Sequence, residues 1–169
     1  MKTLNVPLYA QKDPRWGDEN MGQTQIKIKH EGCLLCCSAA GFSYLGYPVD
    51  PAELNRRYHI GGYLGGPITH QPTNQMLWLA IEQLTGKAIM RAEYQASPTE
   101  AQWRNMADWI LNDRRPVWVE VKLVDRQHWV LLVGKTGNAY QMMDPWYGDI
   151  RRFNYPRVYR VVSYKKNNK

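Results

Sequence analysis

The chain has 169 residues, 44% of them hydrophobic, which is enough for one substantial core and too short for two ordinary domains, so residues 1–169 are read as a single domain. Its formal net charge of +7 favours anionic surroundings such as cell-wall polymer, nucleic acid or acidic lipid, and says nothing about fold. Three cysteines, two of them adjacent, do not make the evenly spaced framework of a small disulfide domain and fit a reducing compartment better.

The opening MKTLNVPLYAQKDPRW has no apolar stretch of signal-peptide length, and no segment is long and apolar enough to span a membrane. A cytoplasmic protein is expected, one that reaches the outside only by lysis or another leaderless route. Prolines and glycines in VPLYAQKDPRWGDENMG predict a loop-rich arm, taken as residues 1–32, wrapped over the body. From Leu34 to Leu45 the sequence is hydrophobic on nearly every helical face, which predicts a helix buried all round and stopped by Gly46. DPAELNRRY predicts a second helix, with Asp50 as N-cap, Pro51 at the first helical position and Glu53 three residues after the cap. TNQMLWLAIEQLTG predicts a third, closed by Gly86. SPTEAQWRNMADWILN predicts a fourth, capped by Ser97 ahead of Pro98 and Glu100, with Trp103, Met106, Ala107, Ile110 and Leu111 as its core-facing stripe.

Beyond Pro116 the period changes to two. VWVEVKLV alternates Val117, Val119, Val121 and Leu123 against Trp118, Glu120 and Lys122, and HWVLLVG, AYQMM and RVYRVVSY follow across short turns. Helices first and then an antiparallel meander predict an α+β domain, N-terminal helices with one buried central helix packed on a C-terminal antiparallel sheet, rather than a doubly wound parallel one. The closing YKKNNK, residues 164–169, reads as a basic flexible tail.

All three cysteines fall within HEGCLLCC, at the head of the buried helix. A redox pair of Cys33 and Cys36 would need a strand-to-helix turn in a βαβ unit, and QTQIKIKHEG with no parallel unit after it does not supply one. A zinc site from His30, Cys33 and Cys36 or Cys37 lacks the second ligand pair, because His59, His70 and His128 are scattered. The remaining reading gives the chemistry to Cys33 alone. Glycine just before it lets backbone approach closely, and the first turn of a helix offers N–H groups and a positive dipole end that favour thiolate. Cys36 and Cys37 are then small core residues.

A thiolate needs a proton carrier. His128 opens the apolar strand HWVLLVG after the DRQ loop, where a polar side chain points into a cleft; the bland alternative is a half-buried, hydrogen-bonded histidine. His30 sits in a charged loop and reads as solvated. Asp144 ends AYQMM, joined to the His128 strand by the tight KTGN turn, so it can orient the imidazole, unless it is merely a turn aspartate before Pro145. An oxyanion would take the Cys33 N–H and a side-chain amide from the arm, for which Gln11 is chosen over its plainer reading as a surface glutamine.

Taken together, VPLYAQKDPRW, EGCLLCCSAAGFSYLG, DRQHWVLLVG and AYQMMDPWYG resemble the papain-like cysteine peptidases, most closely the family of bacteriocin-processing, double-glycine leader peptidases. The similarity runs from Val6 to about Arg152. It implies a papain-like fold with Cys33 as nucleophile, His128 as general base and acid, Asp144 as its orienter and Gln11 as oxyanion donor, hydrolysing an amide through a thioester without a cofactor. The sequence departs from the Gly-Cys-x-x-Thr pattern of many relatives in having Cys36, and the double-glycine specificity is not carried over.

Two rivals are weighed. The same triad could hydrolyse peptide crosslinks of bacterial cell wall, as a phage lysis protein would, since positive charge suits an anionic wall. A basic, tryptophan-rich chain could instead be a non-catalytic module binding nucleic acid or peptide, but the arginine pairs form no stripe and GKTG lacks the upstream glycine of a phosphate loop. A peptide or peptidoglycan substrate is therefore expected, and nucleic acid is not. GGYLGGPITHQP and the aromatics Trp16, Tyr63, Trp129 and Trp146 are candidate groove residues.

Overall fold

In the computed structural model, which describes residues 2–60, 76, 78–123 and 126–167, the helices are α1 (Ile28–Glu31), α2 (Cys33–Tyr44), α3 (Pro51–Ile60), α4 (Ala80–Leu84) and α5 (Glu100–Asn112). The strands are β1 (Ile89–Ala96), β2 (Val117–Leu123), β3 (Arg126–Thr136), β4 (Ala139–Asp144), β5 (Asp149–Arg152) and β6 (Val158–Lys166), and they form one six-stranded antiparallel sheet in the order β1-β6-β2-β3-β4-β5. The coarse expectation of a mixed helix-and-sheet domain with an antiparallel sheet holds.

Register places the two helical layers. Trp118 stands opposite Leu131, and Leu131 opposite Met143, so these three share a face of the sheet. Trp118 meets α2 there: its indole N–H donates to Ser38 Oγ at 3.2 Å, and its ring packs against Phe42 and Tyr164. Tyr140, three residues before Met143, points to the other face, where its hydroxyl donates to Asp108 at 2.6 Å and its ring meets Trp103, both on α5. The sheet thus lies between α2 and α5. Every residue of α2 from Leu35 to Phe42 is buried, as the unbroken run of small and apolar side chains predicts.

Several expectations are corrected. β1 was not anticipated, because IMRAEYQA buries only Ile89 well and alternates weakly, as an edge strand with a bulge does. The strands are no simple meander: β6 returns to lie between β1 and β2. The cap of α5 is Thr99 rather than Ser97. Thr99 Oγ1 accepts the Gln102 N–H while the Gln102 side chain accepts the Thr99 N–H, and Ser97 is held to the sheet by its own N–H on the Tyr159 carbonyl. The tail is shorter than 164–169: Tyr164 is fully buried against Phe42 and Trp118, and β6 runs on through Lys166. The third helix is described only as Ala80–Leu84, and its first residues lie outside the described part. The arm is loop-rich as expected, pinned by the Leu4 N–H on the Val133 carbonyl, but it ends in the short α1.

The α2–sheet contact has a sharp steric requirement. A methyl group on Gly41 would occupy the space of the buried Trp118 ring. Gly41→Ala should therefore lower the unfolding free energy by about 1–3 kcal/mol in a urea titration; a loss under about 0.5 kcal/mol would show that this contact is slack.

Candidate active site

The site begins with a mismatch in strand length. β4 ends at Asp144, and its last pairing with β3 is Leu131↔Met143, so β3 residues before Leu131 pair with β2 alone. That leaves one margin of β3 without a strand neighbour. The Trp129 carbonyl on this margin accepts the Cys37 S–H at 3.5 Å, which lays the first two turns of α2 along it. Cys33 is one turn before Cys37 on the same helical face. It is thereby brought to the end of β3 that carries His128, near enough for the sulfur to raise the His128 imidazolium.

The same register unites the other two groups. His128 lies three residues from Leu131, and Asp144 one residue from Met143, so both side chains leave the sheet on the face opposite Trp118. His128 Nε2–H donates to Asp144 Oδ1 at 2.8 Å, which leaves Nδ1 as the ring nitrogen that Asp144 does not engage. Asp144 is fully buried and holds two further donors, the Trp146 N–H on Oδ1 at 3.0 Å and the Tyr155 hydroxyl on Oδ2 at 2.8 Å. Burial alone would raise the Asp144 carboxyl, but these hydrogen bonds and the His128 charge outweigh it and hold the group below its ordinary value. Burial likewise disfavours the His128 imidazolium, yet Asp144 and Cys33 together raise it to about 9. A cationic imidazole beside a sulfur and backed by a buried carboxylate can accept, hold and return a proton.

Gly32 explains how Cys33 takes its position. α1 leads into α2 through this residue, where a Cβ would fall 2.5 Å from the Ile28 carbonyl oxygen, so only glycine fits over the preceding turn. Cys33 thus lies at a break between two helical segments rather than at the free start of one. Cys36 and Cys37 are fully buried, and burial pushes both thiols well above the usual range.

Gln11 is no surface residue. It is 1% exposed, its backbone N–H donates to the Pro145 carbonyl at 2.8 Å and its side-chain Nε2 donates to the Lys29 carbonyl at 2.9 Å. The arm is thereby tied to the residue after Asp144 and to the residue four before Cys33. Gly148, in the left-handed region at φ +76, packs so closely on Ala10 that a Cβ there would collide with it, which seats the β4–β5 turn under the arm.

The predicted groove aromatics divide. Trp129 lines a cleft with Cys33. Trp16 does not face a groove: it is 2% exposed, and its indole N–H donates to the Ala10 carbonyl at 2.8 Å, so it holds the arm in shape. Trp146 is half-buried under the Lys12 ammonium, 3.5 Å from its ring centroid, and its backbone rather than its ring serves Asp144. Tyr63, His70 and GGYLGGPITHQP lie outside the described residues. Sequence reasoning missed Tyr155, because FNYPRVY places it in an irregular segment with no periodic pattern to mark it.

Among the described residues, no three His, Cys, Asp or Glu side chains are grouped as a metal site would require, and no helix is long and apolar enough to cross a membrane. No family model matches the chain, and no curated protein matches it in sequence.

Tyr155→Phe removes one of the donors to Asp144 and leaves Oδ2 buried without it. It should cost about 1–3 kcal/mol of stability and move the His128 ring-proton titration to higher pH by NMR, because the less compensated carboxylate favours the imidazolium more, a shift that a purely packing role would not produce. Because His128 titrates near 9 when folded and near 6.5 otherwise, its contribution to stability is full below about 6.5 and is lost as pH rises through about 9. Urea titrations near pH 6 and near pH 10 should show the gap between the wild type and His128→Asn narrowing with rising pH.

Proposed function

We propose that the protein is a cysteine peptidase of papain-like fold that hydrolyses an amide bond through Cys33, His128 and Asp144. The observation that carries the reading is the His128–Asp144 hydrogen bond, drawn from two adjacent strands and buried at its carboxylate end, with the Cys33 sulfur near enough to raise the imidazolium. A purely structural histidine would not need a neighbouring cysteine as well as a doubly supported aspartate. The resemblance of the four sequence motifs to the bacteriocin-processing peptidases points the same way and adds Gln11, whose buried amide at the junction of arm, helix and turn suits an oxyanion donor.

In this mechanism the Cys33 sulfur, as thiolate, attacks the carbonyl carbon while His128 carries the proton as imidazolium. Negative charge gathers on the carbonyl oxygen, for which the Cys33 N–H and the Gln11 side-chain N–H are the donors. The C–N bond breaks as His128 gives its proton to the departing nitrogen, leaving a thioester on Cys33. Neutral His128, still aligned by Asp144, then takes a proton from water, which attacks the thioester; the acid leaves, and proton and thiolate return to their starting places. Asp144 stays ionised throughout, its role being to hold the ring and favour its cationic form.

Cys33→Ala should abolish turnover of a peptide or cell-wall substrate while leaving the circular dichroism unchanged; continued cleavage by that variant would overturn the reading. Limiting iodoacetamide at mildly acidic pH should label Cys33 and spare Cys36 and Cys37, read by peptide mass spectrometry. Since His128 must be protonated when the amine leaves, kcat/KM should fall as pH climbs past about 9. Clearing of a suspension of purified cell walls, compared with cleavage of unfolded protein, decides between the two kinds of amide.

A further inference from the structure

A cleft of about 420 Å³ opens beside Cys33, between the first turn of α2 and the sheet face that carries Trp118. Among the described residues its apolar side chains include Met21, Met76, Trp78 and Trp129, with the Trp78 and Trp129 rings 5.1 Å apart between centroids, and Gln127 adds an uncharged polar group. Its charged groups are Glu31 on α1, Glu120 on β2 and Arg160 on β6.

Glu120 is unusual. In mid-strand between Trp129 and Arg160, it presents a carboxylate to the cleft with only 5% of its side chain exposed. Its Oε2 accepts no hydrogen bond from any described residue. Arg160 Nε comes within 3.2 Å of that oxygen, but the N–H is not directed at it, and the Arg160 side chain is 41% exposed at the mouth of the cleft. Burial raises the Glu120 carboxyl and Arg160 opposes this. A buried carboxylate so loosely served gains from a well-aimed cationic donor, and an uncharged side chain in its place would shut it away from solvent with its acceptor unmet. With both glutamates ionised, the charge lining the cleft sums to one negative, so an incoming anion directed at Arg160 would meet two carboxylates.

We propose that this cleft is the side-chain subsite of the Cys33 centre and selects a substrate residue with an apolar stem and a terminal cation, the tryptophan rings holding the stem and Glu120 receiving the charge. The inference deepens the peptidase reading, but its test is binding rather than turnover, so the two can fail separately.

Capped alanine pentapeptides carrying lysine or norleucine at each position in turn are titrated by calorimetry into Cys33→Ala protein. At one position lysine should bind at least about tenfold more tightly than norleucine. Glu120→Gln in the same background should bring that ratio toward one, and Arg160→Met, which removes the competing cation, should increase it. The second variant also keeps the test decisive if Glu120→Gln folds poorly by circular dichroism. Equal binding of the two peptides, tighter binding of a glutamate peptide, no binding of any peptide at millimolar concentration, or a lysine preference indifferent to both substitutions would overturn the subsite. Selective binding without cleavage by the wild type would leave the subsite standing and count against the peptidase reading alone.

Discussion

Where β4 stops at Asp144, β3 continues without a neighbour, and a backbone carbonyl on that margin must find another donor. Cys37 supplies it from α2. This contact sets the helix along the strand, and because Cys33 precedes Cys37 by one turn, it also sets the Cys33 sulfur against His128. An unpaired strand margin, ordinarily a liability, becomes the seam along which the two halves of the site meet. The arm closes the same seam from outside: Gln11 bonds at once to the Pro145 and Lys29 carbonyls, so the turn after Asp144 and the segment leading to Cys33 are held by one residue.

Within that seam the charges depend on how well the buried carboxylate is served. Asp144 has no exposure to water, and a bare carboxylate there would tend to protonate. Three donors, from His128, Trp146 and Tyr155, keep it ionised, and its charge then holds the imidazolium up to about pH 9. Tyr155 in turn rests against Phe153, and Phe153 against Trp103 of α5, so the helix packed on the same face of the sheet as His128 and Asp144 supports the geometry. Glu120, one strand away and on the opposite face, has only the Arg160 ion pair at 3.2 Å beside its buried Oε2.

Local rules are legible in the sequence. The cap at Asp50, whose carboxylate accepts the Glu53 N–H at 2.8 Å, and the buried stripe of α5 follow from spacing alone. Cys33, His128 and Asp144 could be singled out because each sits at the boundary of a strongly patterned element, a place where a polar or nucleophilic residue is conspicuous. β1 escaped because an edge strand buries little and so alternates weakly. Trp16 was misassigned because a tryptophan in a proline-rich arm looks the same in sequence whether it faces a substrate or clasps its own backbone. Tyr155 and the acceptor role of the Ala10 carbonyl arise from contacts between segments that no period links.

By itself the sequence determined most of the helices and strands, since these depend on side-chain period, caps and turns that act over a few positions. Only the tertiary structure decided that Asp144 holds His128 Nε2, that Glu120 ends buried in the cleft beside Cys33, and that β6 carries the supposed tail into the sheet. Those outcomes turn on strand register and on where one strand ends beside another, and a pairing between distant segments leaves no trace in the local pattern of either.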